Sequence, residues 1–244
     1  MSARALAVVS VLCLAGAAFL VGCAEPGNKD GERAFRDSFP VDKGNLSDLG
    51  VNEFFLPLTP GYRLTLVSED GKETVTVTVL DETKVVDGVK TRVIEEREMK
   101  RGRLAEVSRN HFAIDKTTRD VYYFGEEVDI YKGGKVVGHG GSWLSGVDGG
   151  RFGLMMPGRP QVGDRYYQEM AGNARDRGEI VSVTDTVETP AGTFTGCVRV
   201  RESSALEEES EDKWFAPGVG LVRDAELVLS KIEKPEGEAK PAGK

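Results

Sequence analysis

The chain has 244 residues, which is enough for one domain of ordinary size flanked by terminal extensions. It carries 32 basic and 40 acidic side chains, for a formal net charge of −8 at pH 7. This acidic balance argues against a nucleic-acid partner and against a polybasic attachment to anionic lipid, because both need clustered Lys and Arg.

The first 23 residues have the composition of an export signal. Arg4 is the only charged residue before Glu25, and an apolar stretch rich in Ala, Val and Leu covers residues 5–21. A positive start, an apolar run and a small residue at the cleavage site are typical of a secretory signal peptide, here 1–22. The alternatives are plain secretion and a retained transmembrane segment, for which the run is slightly short.

The signal ends in Leu20-Val21-Gly22-Cys23. This tetrad resembles the lipobox of bacterial lipoproteins. The resemblance implies cleavage between Gly22 and Cys23, diacylglycerol on the Cys23 thiol, and a further acyl chain such as palmitate on the new amino terminus. Because two or more acyl chains hold a protein stably on a bilayer, we expect the cell envelope as its location. Ala24 is not the Asp that favours inner-membrane retention, so in a host with two membranes we expect the outer one.

Composition divides the mature chain into three parts. Residues 23–50 are polar and lack periodicity, which predicts a flexible tether that begins at the lipidated Cys23. Residues 231–244 are charged and contain Pro and Gly, which predicts a disordered tail. The region 51–230 is long enough for its own core and is predicted to be a single antiparallel β domain.

This domain has the sequence pattern of strands. Residues 75–79 alternate Val with Thr, as in a half-buried strand, and Gly-containing turns such as Asp87-Gly88 separate the runs. No stretch shows helical periodicity over three turns, although the pattern is compatible with one short helix around 46–53 or 151–156. The predicted strands are 62–68, 73–80, 89–98, 103–114, 120–131, 135–143, 164–170, 179–187, 193–202, 209–216 and 219–229. We therefore predict an all-β fold, an antiparallel meander that curves into a half-barrel or an open barrel.

An internal similarity is typical of a duplicated meander. Residues 77–88 align with residues 181–192, with Asp81 on Asp185 and Gly88 on Gly192. The alternative is that hairpins built from Val, Thr and Gly resemble one another by composition.

The segment Trp214-Phe215-Ala216-Pro217-Gly218-Val219-Gly220-Leu221-Val222 carries a second resemblance. It is similar to the closing motif W-[FY]-A-P-G-V-G-L-V of uncharacterised bacterial exported lipoproteins. The runs 122–127, 156–157 and 162–164 also resemble positions of that family, and the similarity covers most of residues 54–229. It implies an antiparallel sheet and no known activity.

No group of residues predicts catalysis. Once Cys13 leaves with the signal and Cys23 is acylated, Cys197 is the remaining thiol, and its Val-rich setting indicates a packed structural residue. His139-Gly140-Gly141-Ser142 is similar to an esterase oxyanion loop, but the chain lacks the G-x-S-x-G elbow of that class. We predict no catalytic residues, no metal site and no cofactor, and whether the protein is an enzyme stays open, with the balance against it.

An apolar pocket is the remaining candidate site. Met155 and Met156 follow Trp143 across a Gly-rich link, and Met beside Trp on a curved sheet can line an adaptable pocket. The alternative is that these side chains simply fill the core. Three functions follow: a non-catalytic binding or carrier module for an apolar ligand, a structural lipoprotein that contacts an envelope protein, and a hydrolase that uses His139 or His111.

Overall fold

The computed structural model of the protein describes residues 33–206 and 209–235. The predicted signal peptide with Gly22 and Cys23, the first part of the predicted tether, Glu207-Glu208 and the tail from Glu236 lie outside the described residues. Strands make up 61% of the described chain, and a single 3₁₀ turn, Lys43–Asn45, accompanies them. The described part contains no helix with the length and apolar character needed to span a bilayer.

The strands form one continuous antiparallel sheet that curves into a nearly closed barrel with one seam. This confirms the predicted all-β class. The strands described are β1 Leu46–Ser47, β2 Arg63–Ser68, β3 Glu73–Val86, β4 Val89–Lys100, β5 Arg103–Asp115, β6 Val121–Lys132, β7 Lys135–Gly138, β8 Trp143–Leu144, β9 Arg151–Met156, β10 Arg165–Tyr167, β11 Glu169–Met170, β12 Asp176–Thr189, β13 Gly192–Ser204, β14 Ser210–Ala216, β15 Gly220–Asp224 and β16 Leu227–Glu233. Around the barrel, the order is β10, β12, β13, β14, β15, β16, β2, β3, β4, β5, β6, β9, β11, with β1 added to β5 and with β7 and β8 added to β6.

The seam is closed by one short stretch of chain around Gln168. On one side of this residue β10 pairs with β12, and on the other side β11 pairs with β9. The Gln168 backbone N–H donates to the Asp176 carbonyl oxygen at 2.8 Å. Gly153 on β9 lies so close to the backbone of Tyr167 and Gln168 that a Cβ atom there would overlap it. The seam therefore needs glycine at position 153.

Local turn chemistry sets the hairpins. Asp87 and Gly88 both have positive φ, 50° and 76°, and join β3 to β4 as predicted from the Asp-Gly pair. The aligned segments of the internal similarity fall in the two long hairpins, β3–β4 and β12–β13. Each hairpin has a register shift, between Val79 and Thr83 in one and around Asp185 in the other. This correspondence is compatible with a duplication, which stays a prediction.

Three parts of the chain differ from the sequence-based expectations. Residues 33–50, predicted as part of the flexible tether, contact the barrel: Phe39 packs edge-on to Tyr122 at 6.0 Å, and β1 pairs with β5. Residues 151–156, where the sequence was compatible with a short helix, form β9, because their apolar residues find a partner strand in β6. β16 continues to Glu233, three residues into the predicted tail. Each of these segments acquires its structure from distant partners that local composition does not reveal.

The interior of the barrel has an apolar part and a polar part. Residues 55–62 cross the end at which β5 finishes, and Phe55 lies 5.0 Å from Phe112 there. This cluster continues through Leu64, Val77 and Ile94, all of them buried. Towards the opposite end, at the turns 101–102 and 133–134, acidic side chains replace the apolar ones on the inward face of β4, β13 and β14.

Candidate functional site

The structure places the three residues of the predicted pocket in different surroundings. Met155 faces a small internal space of about 40 Å³, whereas Met156 is fully buried in the core. The Trp143 ring packs edge-on against Tyr123, with ring centroids 5.4 Å apart. A space of this volume can hold a few water molecules and is too small for a lipid chain.

One wall of this internal space carries charge. Lys213 lies on the inward face of β14, only 3% of its side chain is exposed, and its Nζ is 2.7 Å from Glu202 Oε2. Asp224 Oδ2 and Glu211 Oε1 lie at 3.8 and 3.9 Å from the same nitrogen. Alternation along three neighbouring strands turns all four side chains inward, which the sequence pattern of isolated strands had not shown.

Burial and neighbouring charges change the protonation of this cluster. Burial raises the pKa of Glu96 to about 8, and the positive charge of Lys213 offsets only part of that effect. Burial likewise raises the pKa of Asp224 to about 7. Burial opposes the charge on Lys213, but Asp224 and Glu202 more than offset it, so the pKa of Lys213 lies well above its usual range. At pH 7 the buried ammonium group of Lys213 is thus charged, and the neighbouring Glu96 carboxyl is mostly protonated.

A second acidic pair lies at the barrel seam. Burial raises the pKa of Asp176 to about 6, with a further contribution from Glu202. Burial raises the pKa of Glu169 well above its usual range, and the Asp176 and Glu126 carboxylates act in the same direction. Gln168 Nε2 connects the two clusters by donating to Glu202 Oε1 at 2.7 Å. Within the described residues no set of three or more His, Cys, Asp or Glu side chains has the geometry to hold a metal ion.

The two histidines differ in burial and in their partners. His111 is buried, and its Nε2 is 3.2 Å from Glu127 Oε2. Burial and the charge of Lys84 lower the pKa of His111 to about 4, so its ring is neutral at pH 7. His139 is exposed, with Nδ1 at 2.9 Å from the Val128 carbonyl oxygen and 3.0 Å from Asp129 Oδ1. The partners of these ring nitrogens are thus carboxylates and a backbone carbonyl oxygen.

Cys197 lies in the core, as its sequence setting indicated. Its side chain is fully buried on β13, and burial raises the pKa of its thiol to about 11. A thiol that stays protonated is a poor nucleophile.

A larger concavity lies outside the barrel, at the end where β5 finishes. This arginine cleft has a volume of about 770 Å³. The turn between β5 and β6, the link 157–164 and the first described residues of the chain enclose it. Its lining residues are Arg33, Ala34, Arg36, Thr117, Thr118, Arg119, Asp120, Pro157, Gly158, Arg159, Gln161, Gly163, Asp164, Arg165 and Tyr166.

The fold brings the five arginines of this cleft together from four separate segments. Arg165 is the structural member: its Nη1 donates to the Arg33 carbonyl oxygen at 2.8 Å, and its guanidinium lies 4.1 Å from the centre of the Phe35 ring. The cleft could not be predicted from the sequence, because the arginines are up to 132 residues apart and the net charge of the chain is negative.

Comparison with known proteins gives little guidance. No protein-family model matches the chain, and no curated protein matches it. A crystal structure of a protein designated a lipoprotein, from Parabacteroides distasonis, is 14% identical, with a TM-score of 0.37 over 75% of this chain and 100% of that one. A similarity this low supports no inference about function.

Proposed function

We propose that this protein is a membrane-tethered lipoprotein of the bacterial cell envelope and that its barrel is a non-catalytic binding module. The observation that carries the proposal is the position of the arginine cleft. Arg33 lines the cleft and follows the predicted acylated Cys23 by ten residues. Ten residues span at most ~35 Å when fully extended and about 17 Å as a flexible coil. A domain of this size is roughly 40 Å across, so such a tether would keep the cleft end towards the bilayer.

The small volume and charged wall of the barrel interior favour binding on the outer surface over carriage of a ligand inside the barrel. The space beside Met155 is about 40 Å³, and charged Lys213 and Glu202 contribute to its wall. An enclosed apolar ligand of even benzene size needs several times this volume, roughly 150 Å³, and an apolar lining. The binding function therefore belongs to the external cleft.

An envelope protein as partner is the second candidate, and the strand β7 favours it. Val136 and Val137 on this short strand are exposed, and β7 pairs only with β6 among the described strands. Cross-linking from position 136 in living cells, with Val137 intact, tests this candidate. A specific adduct that Val137→Asp abolishes would support it, and recovery of the uncross-linked chain alone would contradict it.

The tether is tested by intact-mass measurement of the chain purified from bacterial membranes. We expect an amino terminus at Cys23 that carries acyl chains, and we expect Cys23→Ser to leave an uncleaved precursor or a soluble protein. Cys13→Ser is the matched control, because position 13 lies in the predicted signal and its loss should leave acylation unchanged. A mature protein with a bare Cys23 thiol would disprove the tether.

A further inference from the structure

The arginine cleft concentrates positive charge in an acidic protein. The side chains of Arg33, Arg119 and Arg159 are exposed, and within the described chain none of the three forms an ion pair. The two carboxylates of the cleft are engaged by backbone groups: Asp120 Oδ1 accepts from the Gly158 N–H at 2.7 Å and Asp164 Oδ2 from the Gln161 N–H at 2.9 Å. The guanidinium groups are therefore available to an external anion.

Two exposed valines belong to the segments at this end of the barrel. Val162 is 62% exposed and lies in sequence between two lining residues of the cleft. Val51 is 54% exposed and precedes Asn52, whose Nδ2 donates to the carbonyl oxygens of Arg119 at 2.8 Å and Pro157 at 3.0 Å. Exposed apolar side chains at the same end as the arginines suit the boundary between lipid headgroups and acyl chains.

We infer that the arginine cleft binds the phosphate groups of anionic phospholipid headgroups in the membrane that carries the protein. This inference rests on the proposed tether, which would hold the cleft near the headgroup layer. A planar guanidinium binds phosphate through two parallel hydrogen bonds, so several exposed arginines around one cleft form a phosphate-binding surface.

The test uses the full mature chain with Cys23→Ser, so that acyl chains do not mask headgroup affinity. Co-sedimentation is measured with vesicles of phosphatidylcholine alone and with vesicles that also contain phosphatidylglycerol. We expect binding only to the second kind. Each basic side chain near an anionic surface contributes about fivefold, so the combined change Arg33→Gln, Arg119→Gln and Arg159→Gln should weaken binding on the order of 100-fold. Raised salt should weaken it as well.

A second triple variant is the matched control. Arg101→Gln, Arg103→Gln and Lys135→Gln removes the same charge from exposed side chains at the opposite end of the barrel, and Arg101 shares with Arg119 a positive φ, 51° against 67°. This control should retain phosphatidylglycerol binding within a fewfold of the parent.

Three outcomes would overturn the inference. These are equal binding to both vesicle types, equal loss in the two triple variants, and release of the chain from the vesicles by millimolar inorganic phosphate, which would assign the cleft to a free anion. The proposed tether is tested separately. If the cleft binds phosphatidylglycerol but Cys23 carries no acyl chain, the tether is disproved and the headgroup-binding role of the cleft stands.

Discussion

The protonation of Glu96 can be tested through the pH dependence of stability. Glu96 lies on the inward face of β4, where burial raises its pKa from 4.5 to about 8. Because the pKa is higher in the folded state than in the unfolded chain, the folded barrel retains a proton that the unfolded chain releases. Its contribution to stability is fully present below about pH 4.5 and is lost as the pH rises towards 8.

The size of the effect follows from that difference. One pH unit corresponds to about 1.4 kcal/mol, so a rise of three and a half units corresponds to at most about 5 kcal/mol of destabilisation by pH 8. Glu96→Gln places a neutral group of the same shape at this position. The variant should resemble wild type near pH 5 and should exceed it by several kcal/mol at pH 8.

Urea unfolding between pH 5 and pH 8 measures this difference as the free energy of unfolding. Glu82→Gln is the matched control, since Glu82 is exposed on β3 and its replacement should shift the free energy of unfolding by less than ~0.5 kcal/mol at every pH. The reasoning is refuted if Glu96→Gln differs from wild type by the same amount throughout this range, because Glu96 would then be ionised in the barrel at all these pH values.

Two further predictions concern the buried lysine and the seam. Lys213→Met should lower the free energy of unfolding by about 3–5 kcal/mol at pH 8, above the pKa of about 7 that burial gives Asp224, and by less at pH 5; exposed Lys231→Met should have little effect in the same urea titration. Gly153→Ala should cost about 1–3 kcal/mol, because its Cβ meets backbone at the seam, whereas Gly172→Ala, which has open space, should be neutral by thermal melting. A Gly153→Ala variant as stable as wild type would show that the backbone at the seam can move enough to accommodate a Cβ atom.

The strands could be predicted where local sequence determines them. Alternation over 75–79 and the Asp87-Gly88 turn specify one of the long hairpins, since period-two patterning and positive φ are local properties. β9 could not be predicted, because it forms only when the barrel brings Gly153 beside Gln168, and the predicted strand 164–170 divides there into β10 and β11. The barrel closes through partners that local patterning does not specify.

The internal charges escaped prediction for a related reason. Glu96 and Lys213 both occupy positions that alternation assigns to the inward face, but a charged residue in a strand normally indicates the solvent face. Only the complete barrel shows that Lys213 meets Glu202 and Asp224, and that burial leaves Glu96 largely protonated. Trp143 and Met156, two residues of the predicted pocket, are buried and pack in the core.

The arginine cleft shows why net charge is a poor guide to what a surface binds. Averaged over the chain, the excess of acidic residues argued against contact with anionic lipid. The field that a ligand meets in a cleft comes from the charges within about one Debye length, ~8 Å at physiological salt, and more distant charges are screened. In the cleft those nearby charges are five arginines from four segments and two aspartates, an excess of three positive charges. A protein can therefore be acidic as a whole and still carry a basic cleft at one end.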